Sequence, residues 1–125
     1  MIKKKSSGFE DLEVWQKTIE LTEIIYNVSR SFPVEELYGI TSQMRRSAVS
    51  IASNIAEGSA RKSRKDFARF TAIANGSAAE LKTQLYIAHR IKILSKDDFE
   101  EAFEKINVKG KMLKGLHKHL KTINH

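Results

Sequence analysis

The chain has 125 residues, of which 41% are hydrophobic and 30% are charged, with one Pro, six Gly and no Cys. This length suits one folded domain and excludes most two-domain cofactor enzymes, and the composition excludes a disordered or fibrous chain. The 22 Lys and Arg outnumber the 15 Asp and Glu to give a net charge of +7, which favours an anionic partner, and the lack of Cys excludes disulfides, thiolate zinc sites and thiol catalysis.

The charge is distributed unevenly along the chain. Residues 9–36 hold seven acids and two bases, whereas residues 37–125 hold seventeen bases and eight acids. Residues 1–8, which begin with three Lys after Met1 and Ile2, are predicted to be a flexible basic tail before one domain over residues 9–125. Because no apolar run is long enough for a membrane span or a signal peptide, we expect a cytoplasmic protein without a membrane partner.

A first helix is predicted from about Asp11 to Ser31. Its apolar positions recur every three or four residues along two adjacent lines, which indicates a wide apolar face. One line contains Leu12, Trp15, Ile19, Thr22 and Tyr26, and the other contains Val14, Thr18, Leu21, Ile25 and Val28. Pro33 disfavours helical geometry at the preceding residue, so a connector with at most one helical turn should follow.

A second helix is predicted from about Gly39 to Gly58. Its apolar stripe consists of Ile40, Met44, Ala48, Ile51 and Ile55. On another side, a line of polar and small residues repeats at spacings of four and three, and this seam consists of Gln43, Ser47, Ser50, Asn54 and Glu57. Small residues allow a neighbouring helix to approach closely, and the polar atoms then need partners there.

The third helix should begin after Ser63, a predicted N-cap, and extend to about Ile93. Its predicted core stripe consists of Phe67, Phe70, Ala74, Ser77, Leu81, Leu85, Ala88 and Ile91. Gly76 lies inside this helix at a cost of about 1 kcal/mol relative to Ala, so we expect it to mark a close approach to the second helix.

A fourth helix should begin after Ser95, where Ser-Lys-Asp-Asp is a variant of the capping box. Its predicted stripe consists of Phe99, Phe103, Ile106, Gly110, Leu113, Leu116, Leu120 and Ile123. No alternating strand pattern occurs anywhere in the chain. Four helices with short connections predict an all-α fold, an antiparallel up-down-up-down four-helix bundle.

Catalytic and metal-binding patterns are weak. His117 and His119 are two residues apart and point to different faces of a helix, and neither His89 nor His125 has a nearby carboxylate, so we expect no metal and no cofactor. The serines lack a nucleophile elbow, and no phosphate-binding Gly-rich loop is present. Glu57 and Glu80 could form a carboxylate pair for acid-base chemistry; pairing of such a Glu with Arg45, Arg46 or Arg61 is the favoured alternative.

Basic residues are concentrated in two zones. The first runs from Arg45 and Arg46 to Arg69 and includes Arg61, Lys62, Arg64 and Lys65; the second is a stripe on the fourth helix formed by Lys111, Lys114, Lys118 and Lys121. The stripe residues are spaced by three or four, so they share one face and suit a phosphate backbone. A solvated lysine-rich face is the alternative, because aromatic residues do not alternate with these lysines.

Several motifs together resemble one bacterial family, the four helix bundle proteins, also called the 23S rRNA intervening-sequence proteins. The similarity covers residues 9–93. It includes Asp11-Leu12-Glu13-Val14-Trp15, and its specific motifs are Ser42-Gln43-Met44-Arg45-Arg46 and Ser53-Asn54-Ile55-Ala56-Glu57-Gly58.

The resemblance implies an antiparallel bundle that assembles into a ring, typically a homopentamer, with no known catalytic activity. A more distant similarity links the chain to accessory proteins of diversity-generating retroelements, basic bundles thought to bind nucleic acid. We therefore expect a non-enzymatic, oligomeric module that binds RNA or DNA; the alternative is a scaffold whose basic face docks an acidic protein. We further hypothesise that Arg45 or Arg46 joins Asn54 and Glu57 in a polar network with the third helix or a neighbouring subunit.

Overall fold

The computed structural model of the chain describes residues 8–122, apart from the side chains of residues 108, 109, 121 and 122. Four α-helices account for most of this range: α1 (Glu13–Ser29), α2 (Ser42–Ser59), α3 (Arg64–Arg90) and α4 (Lys96–Thr122). The range 8–122 contains no strand, which confirms the all-α prediction. Residues 1–7, most of the predicted basic tail, lie outside the described part of the chain.

Each helix packs against two others around one core. Helix α1 contacts α2 and α4, and α3 likewise contacts both α2 and α4. The predicted α2 stripe is confirmed, because Met44, Ala48, Ile51 and Ile55 are buried. Within residues 8–122, no helix is both long and apolar enough to cross a membrane.

The apolar face of α1 resolves into one buried line and one outer line. Val14, Leu21 and Ile25 are buried in the core, whereas Ile19 and Tyr26 are exposed. Helix α1 ends at Ser29, two residues earlier than predicted, and Phe32 before the proline is buried. Periodicity alone does not distinguish the two lines of α1. The packing of the neighbouring helices decides which of them is buried.

Irregular helical turns connect α1 to α2. A 3₁₀ turn at Val34–Glu36 is followed by a π-helix at Leu37–Thr41, in which Gly39 departs from helical geometry with φ −112° and ψ −115°. Helix α2 consequently begins at Ser42, three residues after the predicted start. This connector displays Tyr38 on the surface, where 94% of its side chain is exposed.

Both serine caps are confirmed. The Ser63 hydroxyl accepts a hydrogen bond from the Asp66 amide at 3.0 Å, and the Ser95 hydroxyl accepts one from the Asp98 amide at 3.1 Å. Helix α3 ends before Lys92, which has a left-handed φ of 72°, and the amides of Ile93 and Leu94 then bond back to the carbonyl of Ala88. These contacts satisfy backbone groups that the helix ends leave unpaired.

The expectation for Gly76 is wrong. Gly76 is exposed, and a methyl group added there would meet no atom within 4 Å. The close approach lies at Gly58 instead, where a methyl group would be 2.7 Å from Cβ of Phe70 and 2.9 Å from Cδ1 of Phe67. Helices α2 and α3 therefore approach each other closely near the turn that joins them.

Candidate nucleic-acid interface

The turn between α2 and α3 presents a cluster of cations to solvent. Arg61, Lys62, Arg64 and Lys65 are all exposed. Gly58 allows the two helices to meet just before this turn, and the Ser63 cap sets the direction in which α3 begins. Arg61 and Lys62 are therefore carried by a short turn that is fixed on both sides, and Arg64 and Lys65 by the first turn of α3.

An aromatic ring supports part of this cluster. The guanidinium carbon of Arg61 lies 4.8 Å from the centre of the Phe70 ring, and that of Arg69 lies 4.7 Å from the same centre. Arg61 also donates a hydrogen bond to Glu57 Oε2 at 2.8 Å. Cation-π contact and an ion pair restrict the position of Arg61 more than that of a solvated arginine.

The predicted stripe on α4 is partly described. Lys111, Lys114 and Lys118 are exposed, as their shared helical face predicts, whereas the side chain of Lys121 lies outside the described residues. Lys111 and Lys114 also line a groove between α3 and α4 together with Lys82. The stripe therefore continues onto the neighbouring helix.

A contact between α4 and α3 brings the end of the lysine stripe to the start of α3, whereas Arg45 and Arg46 of the first zone lie at the other end of α2. Nδ1 of His117 lies 2.7 Å from Oγ1 of Thr71 and 3.0 Å from the carbonyl oxygen of Ala68. His117 lies between Lys114 and Lys118 in sequence, and Ala68 lies one helical turn after Arg64 and Lys65. We use the term basic surface for the described cations of the α2–α3 turn, the start of α3 and the α4 stripe, Arg61, Lys62, Arg64, Lys65, Lys111, Lys114 and Lys118.

Several carboxylates lie near the basic surface and reduce its charge. Glu57 is paired with Arg61, and Asp66 belongs to the first turn of α3. Glu100 and Glu104 line a cleft together with Lys111, whereas at the α2–α3 turn Arg61, Lys62, Arg64 and Lys65 outnumber Glu57 and Asp66. Such a local excess of cations is the electrostatic footprint expected for a polyanion.

The polar seam of α2 faces α3 over its middle part. Ser47 is buried, and the hydroxyls of Ser50 and Ser77 lie 2.8 Å apart, which joins the two helices. Asn54 bonds back to the carbonyl and hydroxyl oxygens of Ser50 at 2.8 and 3.1 Å. The central polar atoms of the seam therefore find hydrogen-bond partners within the chain.

The charged members of the hypothesised network have other neighbours. Nε of Arg45 donates to Oγ of Ser29 at 2.9 Å, so Arg45 faces α1 rather than α3. Arg46, Gln43 and Glu80 line an open groove between α2 and α3. Within one chain, then, neither Arg45 nor Arg46 is brought to Glu57, and the network between subunits stays a prediction.

The histidines and carboxylates considered for chemistry are dispersed. His89 stacks on Phe99 with ring centres 4.9 Å apart, at the end of α3 far from Glu57, and Glu80 lies between them on the α2-facing side. His119 is exposed, and His125 lies outside the described residues. Among residues 8–122, no three His, Asp or Glu side chains are grouped so that they could hold a metal ion.

Thr71 and His117 are the positions that sequence reasoning did not identify as part of this surface. They are separated by 46 residues, and no local pattern links them. Phe70 belongs to the predicted core stripe. In the structure it is only half-buried, and the guanidinium groups of Arg61 and Arg69 lie over its ring. The spacing of Arg61, Arg69 and Phe70 across the start of α3 was the only sequence signal for this cation-π contact.

The comparisons of this chain with known proteins agree on one family. A family model described as 23S rRNA-intervening sequence protein matches residues 10–115. A solved structure from the S23 ribosomal protein family of Bacteroides thetaiotaomicron, described as a protein with unknown function, is 28% identical. The similarity covers 84% of this chain and 98% of that one, with a TM-score of 0.77. No curated protein matches the chain.

Proposed function

Because the chain belongs to the 23S rRNA-intervening sequence protein family, we propose that it is a non-enzymatic, oligomeric helix bundle of the cytoplasm that binds RNA phosphates through its basic surface. The observation that carries this proposal is the contact of His117 with Thr71 and Ala68, which brings the end of α4 to the start of α3. Cations gathered on one surface attract a polyanion more strongly than the same number scattered over the protein.

The character of the basic surface favours binding without sequence readout. Its members are exposed lysines and arginines, and such side chains position a phosphate backbone, whereas specificity requires contacts with base edges. Counterion release then provides most of the affinity, so binding should weaken steeply as salt increases.

We also propose the assembly implied by the family resemblance. The bundle is antiparallel, which is supported by the order of contacts: Ser50 meets Ser77, whereas Gly58, later in α2, lies beside the earlier residue Phe70. In a ring of five copies the basic surface is repeated by symmetry, so weak contacts with one RNA add through avidity.

The test is RNA retention as a function of salt concentration. A labelled RNA should bind at low salt, and the slope of log K against log salt should decrease by about one for each phosphate-contacting lysine removed. Lys62→Gln and Lys65→Gln are the informative variants. Lys96→Gln is the matched control, because Lys96 is an exposed lysine at the start of α4, away from the basic surface.

Two outcomes contradict the proposal. Absence of retention at low salt, or retention that does not depend on salt, rejects phosphate binding by this surface. An acidic protein docked on the same cations would instead survive nuclease treatment of a lysate, whereas a complex bridged by RNA would be lost. Native mass spectrometry of the treated and untreated samples reports the subunit count as well as the bound species.

A further inference from the structure

A second surface lies at the other end of α2. An open cleft of about 630 Å³ is formed by the end of α1, the π-helix and the first turns of α2. We call it the aromatic cleft, and its principal lining residues are Tyr26, Leu37, Tyr38, Arg45, Arg46 and Val49. Arg46 and Arg61 are 15 residues apart, mostly along α2, so this cleft lies roughly 20 Å from the basic surface.

The cleft exposes large apolar side chains together. Tyr38 is 94% exposed, and Tyr26, Leu37 and Val49 are 38%, 41% and 43% exposed. Single exposed apolar residues are ordinary on protein surfaces, whereas a contiguous group of them marks an interaction site. Tyrosine and arginine are also the residues most enriched among those that dominate protein-protein binding energy.

Its geometry is set by contacts inside the chain. The guanidinium carbon of Arg45 lies 4.6 Å from the centre of the Tyr26 ring, and Nε of Arg45 is held by the Ser29 hydroxyl at 2.9 Å. The irregular backbone at Gly39 follows Tyr38 directly. A surface whose aromatic and cationic groups are already positioned loses less conformational entropy when a ligand binds.

The charges of the cleft indicate the partner. Its lining contains two arginines and no acidic residue; Glu36, whose carboxylate lies beside Gly39, is not among the lining residues. Arg46 also lines the neighbouring groove that contains Glu80, but it makes no hydrogen bond or ion pair with Glu80 or with any other residue that the structure describes. A carboxylate brought by a partner would therefore find a guanidinium that is not already paired.

We propose that the aromatic cleft docks an acidic peptide segment of a partner protein, with an aromatic or aliphatic side chain against Tyr26, Tyr38 and Val49 and a carboxylate on Arg46. Unpaired RNA fits this cleft less well. Arg45 is already engaged, only Arg46 remains for a phosphate, and the aliphatic walls of Leu37 and Val49 offer nothing to the polar edges of a base.

The experiment is an NMR titration of the isotopically labelled full chain with four short acetylated peptides. One contains Glu alternating with Phe and Leu, one has Lys in place of each Glu, one has Ala in place of each apolar residue, and one is a scrambled uncharged control. We expect the first peptide alone to shift the signals of Tyr38 and the Arg46 side chain in a saturable way. Arg46→Gln and Tyr38→Ala should each weaken its binding at least tenfold, whereas Arg69→Gln, a matched loss of one arginine elsewhere, should change it less than twofold.

The remaining outcomes overturn the proposal. Equal binding of the Lys and Glu peptides, or binding unaffected by Arg46→Gln, rejects an acidic partner for the cleft. Shifts at Tyr38 that depend on protein concentration without peptide assign the cleft to a second copy of the chain. Displacement of the peptide by a short single-stranded RNA, lost in Arg46→Gln, assigns it to nucleic acid. RNA retention by the basic surface is measured separately, so either proposal can fail while the other stands.

Discussion

Nδ1 of His117 lies within hydrogen-bond distance of both the Thr71 hydroxyl, at 2.7 Å, and the Ala68 carbonyl, at 3.0 Å. A carbonyl oxygen can only accept, so these partners assign the ring hydrogen to Nδ1. The Thr71 hydroxyl donates to Ala68 as well, at 2.8 Å, which leaves its oxygen free to accept from His117. Helix α4 is thereby fixed against the start of α3, and the lysines on both sides of His117 in sequence are positioned with it.

This contact predicts coupling between two residues that are distant in sequence. In a double-mutant cycle of Thr71→Val and His117→Gln, we expect a coupling free energy of about 1 kcal/mol, because the first variant removes the acceptor and the second the imidazole donor. Urea unfolding followed by circular dichroism measures it. His119→Gln, two residues further along α4 and exposed, is the control, and a cycle with His119 that couples as strongly to Thr71 would disprove the contact.

The two glycines of α2 and α3 should respond oppositely to the same substitution. Gly58→Ala places a methyl group 2.7 Å from Cβ of Phe70, and we expect it to lower the free energy of unfolding by about 1–3 kcal/mol through overpacking. Gly76→Ala meets open space, so it should raise that free energy by about 0.5–1 kcal/mol through helix propensity. Equal effects in thermal or urea unfolding would show that the helices do not approach at Gly58.

Arg45 and its sequence neighbour Arg46 should differ in their tolerance of lysine. Arg45→Lys loses the bond to Ser29 and the contact with the Tyr26 ring, which should lower the free energy of unfolding by about 1 kcal/mol. Arg46→Lys should change it by less than about 0.5 kcal/mol, because its side chain is exposed and bonds to no other described residue. A larger loss of stability for Arg46→Lys than for Arg45→Lys would show that Arg46, and not Arg45, packs against α1.

The polar network between subunits has its own test. If Arg46 or Arg45 meets Glu57 of a neighbouring copy, a double-mutant cycle with Glu57→Gln in the assembled protein should show coupling. Within a single chain, Glu57 should couple to Arg61 instead, by about 0.3–0.5 kcal/mol as for exposed pairs four residues apart on a helix. Absence of coupling to both Arg45 and Arg46 in the assembled protein would eliminate the network.

Thr41 carries a buried hydroxyl that bonds to no other described residue. Thr41→Val keeps the shape of the side chain and removes this polar atom, so we expect the free energy of unfolding to rise by about 1 kcal/mol. Thr83→Val is the comparison, because the Thr83 hydroxyl is exposed and donates to Ala79 at 3.0 Å, and it should bring no gain. A loss of stability in Thr41→Val would indicate that the hydroxyl has a partner.

Local signals were enough to identify the helices and their caps. Ser63 and Ser95 begin α3 and α4 because a serine hydroxyl satisfies an amide of the first turn, an interaction contained within four residues. The α2 stripe was also predictable, since Met44, Ala48, Ile51 and Ile55 repeat with the helical period. The motifs around residues 42–58 were specific enough to identify the family.

Only the tertiary structure decided which faces and which distant residues meet. Periodicity could not choose between the two apolar lines of α1, because both fit a helix and only the packed neighbours bury one of them. Gly76 and Gly58 look equally suited to a close approach in the sequence, yet only Gly58 lies beneath another helix. The sequence by itself determined that there are two basic zones; that the end of α4 lies against the start of α3 depends on His117 and Thr71, whose contact arises only when α4 packs on α3.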